Sequence, residues 1–170
     1  MVLKPQDLLI VLKLWVGREK SWTYPLLAQE LGMSISEVHG AVKRAAKAGF
    51  LVEASLGMAP NPSALREFLV HGAKFAFPVD RGTMARGLPT AHAAAPLKDE
   101  ILSDGEPSPV WPHPDGEERG IAFEPLYSSA PGAALLDPAL YELLALLDAI
   151  RGGRARERQM AIKLIEERLK

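Results

Sequence analysis

Gly32 divides two short stretches of helical periodicity, and the residues around it, Leu27-Ala28-Gln29-Glu30-Leu31-Gly32-Met33-Ser34, leave the chain few ways to fold. Two short helices joined by a tight turn meet at a steep angle. That geometry demands a small residue where the backbones approach and a glycine where the chain turns. Ala28 stands four residues before Gly32, and Val38 six residues after it, inside the second helix. Leu27, Leu31 and Met33 fill the apolar positions around the corner.

The ends of both helices are marked. Thr23 is the expected N-cap of the first, with Pro25 in its first turn, where a missing N–H costs nothing. Ser34 caps the second, and Glu37 three residues on completes the capping-box spacing. The second helix is expected to turn Ile35, Val38, Val42, Ala45 and Ala46 inward and to end at Gly49. Its opposite side then carries Ser36, His39, Gly40, Lys43 and Lys47. Ser36 and His39, near the N-terminal end, have the reach and chemistry to read base edges in a major groove. Lys43, Arg44 and Lys47 suit phosphate, which gives affinity and not sequence choice. Thr23 and Tyr24 suit the DNA backbone through hydroxyl and amide groups. Gly40 permits close approach, at a helix cost of about 1 kcal/mol relative to alanine. With Ser34, these residues form the expected DNA-binding set. Glu37 would repel phosphate if it faced the groove, but its capping role is reason enough for its presence.

Leu27–Ser34 resembles, residue for residue, the helix-turn-helix of bacterial regulators. Val42-Lys43-Arg44-Ala45-Ala46-Lys47-Ala48-Gly49-Phe50-Leu51 is similar to the end of the recognition helix in winged-helix regulators of the MarR and GntR type. The resemblance covers residues 5–53, under a third of the chain. It implies a winged-helix-like tri-helical head that continues into a β-wing and takes double-stranded DNA as its partner. The pattern departs at the wing. Phe50-Leu51-Val52-Glu53 reads as extended, yet Ala59-Pro60-Asn61-Pro62 leads into a helix that Gly72 closes. Either the wing is rudimentary, or Leu51–Glu53 pairs with Lys74-Phe75-Ala76-Phe77, whose alternation reads as a strand.

Net charge is only −1, but it is unevenly spread. Residues 1–50 hold seven Lys/Arg against four acids, residues 101–150 nine acids against Arg119 alone, and the last twenty residues return to +4. Positive ends around an acidic middle fit a DNA-binding head with a separate body, because phosphate attraction is local.

Three segments are expected: a DNA-binding domain over 1–77, a Pro/Gly-rich irregular extension over 78–132, and a C-terminal helical pair over 133–170 that offers a dimer surface. The first begins with an apolar helix from Pro5 to Gly17, with Leu8, Leu9, Leu12 and Trp15 in its stripe. Nine of the fourteen prolines fall in the extension, where Leu88, Leu97, Ile101, Leu102, Val110, Trp111, Phe123, Leu126 and Tyr127 predict packing onto the rest. Asp137-Pro138 starts one C-terminal helix, with Leu140, Leu143, Leu144 and Leu147 on one face. Another runs from Ala155 to Leu169, with Ala161, Leu164, Ile165 and Leu169 as its stripe. The fold class is thus mainly α with a small β component. Arg81-Gly82, Arg86-Gly87 and Arg119-Gly120 read as turns or anion contacts. The arginines of 151–158 oppose the helix dipole, and so bind phosphate or pair with the acids of 104–124.

With 48% apolar residues the chain can bury a real core. It has no cysteine, hence no disulfide, thiolate nucleophile or cysteine-bound zinc. The four scattered histidines form no ligand set, and no catalytic motif occurs, so neither enzyme, metal nor cofactor is expected. No apolar run marks a leader or a membrane span, and the expected location is the cytoplasm. The leading expectation is a sequence-specific repressor acting as a homodimer through helix 34–48. The alternative is an antitoxin-like interaction protein whose 78–132 segment holds a protein partner.

Overall fold

Helix α1 (Pro5–Val16) runs through the middle of the fold. Pro5 supplies the helical φ of the first turn, and the Asp7 carboxylate accepts the Lys4 N–H at 2.9 Å. The expected stripe widens to the whole circumference: every side chain from Asp7 to Trp15 is buried. A helix apolar all round belongs inside a core. Its two internal charges are both paired, Asp7 with Arg44 and Lys13 with Glu30 and Asp137. This computed structural model describes residues 1–55, 57–102 and 104–170.

Two helices follow, α2 (Tyr24–Leu31) and α3 (Ile35–Lys47), and then a hairpin of β1 (Leu51–Ala54) and β2 (Gly57–Pro60). The hairpin is antiparallel, with Leu51 opposite Pro60 and Ala54 opposite Gly57. Leu51–Glu53 therefore does not pair with Lys74–Phe77 but with the strand that follows it directly. Lys74–Phe77 is no strand. The chain goes through α4 (Pro62–Glu67), capped by Asn61 at 3.2 Å, and a π-turn (Phe68–Gly72) into α5 (Ala73–Ala76). Leu65, Leu69 and Ala73 are buried at helical spacing, and that stripe overrides the local alternation.

The Pro/Gly-rich stretch contains more regular structure than its composition suggests. β3 (Arg81–Pro89), β4 (Pro109–Pro112) and β5 (Glu118–Phe123) each pair with the other two, antiparallel to β3 and parallel between β4 and β5. Three strands close on one another only if their backbones come very near. A Cβ on Gly87 would stand 1.9 Å from the Trp111 carbonyl oxygen, and one on Gly120 2.0 Å from that of Ser108. All three Arg-Gly pairs, Arg81-Gly82, Arg86-Gly87 and Arg119-Gly120, thus lie within strands and not in turns. Leu88, Leu97, Val110, Trp111, Phe123 and Leu126 are buried as expected, whereas Leu102 is 94% exposed.

Helices α6 (Ala130–Leu136), α7 (Pro138–Gly152) and α8 (Ala155–Arg168) complete the chain, the last two within a residue or two of expectation. Asp137 caps α7. One continuous core joins α1, α3, α7 and α8 to Leu88, Trp111 and Phe123 of the strands. At its far side the buried Asp148 accepts from Thr90 Oγ1 and Trp111 Nε1 at 2.7 Å and from Arg151 at 2.8 Å. Burial pushes its carboxyl up, against the pull of Arg151, Thr90 and Trp111. Arg154 meets Asp104 and Glu106, so this member of the arginine cluster pairs within the chain. Among the described residues no helix is long and apolar enough to cross a membrane.

Candidate nucleic-acid interface

The turn between α2 and α3 is built as the residue types require. Gly32 takes the left-handed conformation, at φ 63°, and closes α2. The Thr23 hydroxyl accepts the Leu26 N–H at 3.3 Å. Ser34 and Glu37 cap α3 reciprocally: Ser34 Oγ accepts the Glu37 N–H at 3.1 Å, and Glu37 Oε2 accepts the Ser34 N–H at 2.8 Å. The hydroxyls of Thr23 and Ser34 are therefore engaged as caps, although both residues are exposed.

Glu37 has a second partner that the sequence did not disclose. Its Oε1 accepts the Tyr127 hydroxyl at 2.8 Å, reaching across from the chain just before α6. The Ser34 N–H, then Tyr127 and the Ser34 hydroxyl, hold the Glu37 carboxyl below its ordinary range. The same contact raises the Tyr127 phenol. The negative charge at the start of α3 is thus bound on its cap side.

On α3, Val38, Ala41, Val42 and Ala45 face the core. Ser36, His39, Lys43 and Lys47 are exposed and Gly40 half-buried, in one stripe at helical spacing. Neither lysine is held by a carboxylate among the described residues. Tyr24 packs edge-to-face on His39, with ring centroids 5.4 Å apart, so the start of α2 and the middle of α3 share one surface.

Two expectations change. Ile35 lies outside the core, 53% exposed, because it is the first residue of α3 and precedes the buried stripe that begins at Val38. Arg44 is not a free cation. Its guanidinium is turned inward and grips Asp7 with Nη2 to Oδ1 at 2.7 Å and Nε to Oδ2 at 2.9 Å. Hydrogen bonding to Asp7 raises its pKa against the opposing effect of burial. A Cβ at Gly40 would stand 3.2 Å from Arg44 Nη1, so a side chain there presses on the guanidinium. The signal for the pair was present in Asp7 itself: an acid inside a run of core residues needs a buried cation.

The chain matches no family model, and neither a curated protein nor a solved structure is similar to it.

Proposed function

We propose that this chain is a sequence-specific, non-enzymatic DNA-binding regulator that reads the major groove through α3 and acts in the cytoplasm as a repressor. The observation that carries the reading is the exposed stripe Ser36, His39, Gly40, Lys43 and Lys47, presented by a capped helix beyond a left-handed Gly32 turn. Ser36 and His39 have donors and acceptors for base edges, and Ile35 offers an apolar surface to a thymine methyl. Lys43 and Lys47 supply phosphate attraction. The β1–β2 hairpin follows α3 directly in the chain, the order expected of a wing, which supports that reading of the head. One such helix reads few base pairs, so a homodimer on a pseudo-palindromic site is the route to specificity.

Selection from a random duplex library, followed by a mobility shift, tests the proposal. Enrichment of a twofold-related sequence is the expected result; binding that does not discriminate among duplexes overturns it. A second reading, a protein partner held by residues 78–132, is favoured by Leu102 and Met84, which expose 94% and 43% of their surface there. A stable heterocomplex without DNA affinity would replace the first reading with the second.

A further inference from the structure

Between the link that precedes α2 and the β1–β2 hairpin lies a cavity of about 410 Å³. Leu14, Leu27 and Val42, one from each of the first three helices, form an apolar floor, and Trp22 and Met58 face it as walls. Arg18 and Lys20 stand at the rim, and no Asp or Glu lines the cavity among the described residues.

The groups at the rim are not equivalent. Arg18 donates to the Trp15 carbonyl at 3.0 Å and lies 4.5 Å from the centre of that indole, so it is held in place. Lys20 sits 5.5 Å from the Trp22 ring centre, without a carboxylate partner among the described residues. Trp22 donates its indole N–H to the Gly17 carbonyl at 2.9 Å, which satisfies its one polar atom and leaves the rest of the ring apolar.

We propose that this cavity binds a small amphipathic anion, an apolar ring or short chain bearing one carboxylate or sulfonate. Its volume falls within the range of about 300–1,000 Å³ that small-ligand sites occupy. The apolar body lies against Leu14, Leu27 and Met58, and the anionic group meets Lys20 and Arg18 in charge-assisted hydrogen bonds. A cation meets only like charge at the mouth, and inorganic phosphate has no apolar body to fill the floor. Thr23 and Tyr24 also line the cavity, so the ligand touches the start of α2. The site itself does not depend on DNA binding and stands if that reading fails.

Titration of the full chain with anilinonaphthalene sulfonate, followed by dye fluorescence, tests the proposal. Phenylnaphthylamine, the same ring system without the sulfonate, is the neutral comparison. One sulfonate per chain is expected, bound about tenfold more tightly than the neutral dye. Lys20→Glu removes most of that preference and leaves the neutral dye bound. Ala59→Trp places an indole in the cavity and abolishes both, in protein whose far-ultraviolet circular dichroism is unchanged. If Ala59→Trp does not fold, Lys20→Glu alone decides. Equal affinity for the two dyes, several sulfonates per chain, or a preference unmoved by Lys20→Glu overturns the proposal.

Discussion

The guanidinium of Arg44 closes on the carboxylate of Asp7 through three hydrogen bonds of 2.7 to 3.1 Å, and so ties α3 to the central helix. The two ends differ in exposure: the Asp7 side chain is fully buried, whereas that of Arg44 is 18% exposed. Removing the cation strands a buried charge; removing the acid leaves a guanidinium that reaches water. Arg44→Ala is therefore expected to cost about 3 kcal/mol or more in urea unfolding, and Asp7→Ala less. Equal losses would contradict the asymmetry.

The same pair separates Arg44 from its basic neighbours in DNA binding. Lys43→Ala and Lys47→Ala are each expected to flatten the dependence of log affinity on log salt by about 0.9 for every phosphate left without its cation. Arg44→Ala, measured where circular dichroism shows it folded, leaves that slope at the wild-type value. A reduced slope for Arg44→Ala alone would place the wrong cations on the phosphate.

Local signals were legible where local physics decides. Gly32, Thr23, Ser34 with Glu37, Asn61 and Asp137 all stand at the helix ends that their side chains mark. What escaped is long-range. Tyr127 lies ninety positions from Glu37, and nothing in its neighbourhood records that its hydroxyl ends on a capping carboxylate. The strands of the Pro-rich stretch were hidden because Gly87 and Gly120 are required by backbones that meet from elsewhere in the chain. In Lys74–Phe77 a short alternation gave way to the longer helical stripe of Leu65, Leu69 and Ala73. The exposed stripe of α3 was readable except at Ile35 and Arg44, the first at the helix end and the second drawn in by Asp7.

Acid and base should both weaken the contact between Lys13 and Asp137. Burial works against the Lys13 ammonium, but Asp137 and Glu30, at 2.7 and 2.6 Å, outweigh it and raise its pKa. Burial likewise pushes the Asp137 carboxyl up, and Lys13 with the Leu140 N–H pulls it further down. A lowered carboxyl stabilises the fold above its unfolded value of about 3.9, and that gain is lost as pH falls through the folded value. A raised lysine contributes below about 10.4 and loses its effect as pH rises through the folded value. The urea midpoint is therefore expected to drop below about pH 4, and to drop less in Asp137→Asn, which keeps the cap. An acid limb unchanged in Asp137→Asn would assign the loss to other carboxylates.

Asp148 joins the three-stranded unit to α7, and truncating it strands three buried donors at once. Asp148→Ala is expected to cost about 3–5 kcal/mol. The fluorescence of Trp111 should change in the folded variant, because its indole N–H loses its acceptor. A loss under about 1 kcal/mol would mean that the strands are held by apolar packing alone.

Closure of the three strands offers the sharpest contrast between residues of one type. A methyl on Gly87 would lie 1.9 Å from the Trp111 carbonyl oxygen, and the carbon of that carbonyl is 2.6 Å away. Both obstacles are backbone, in the strand that β3 pairs with, so no side chain can rotate aside and Gly87→Ala must part the two strands. Gly132 has nothing within 4 Å of the same methyl and lies inside α6, where alanine is the better helix former. Gly132→Ala is expected to stabilise the chain by about 0.5–1 kcal/mol, while Gly87→Ala destabilises it by several times that amount and lowers the thermal midpoint accordingly. Thermal unfolding of the two variants side by side is the measurement. A Gly87→Ala protein as stable as the wild type would mean that the strands do not approach as closely as the closed three-stranded arrangement requires.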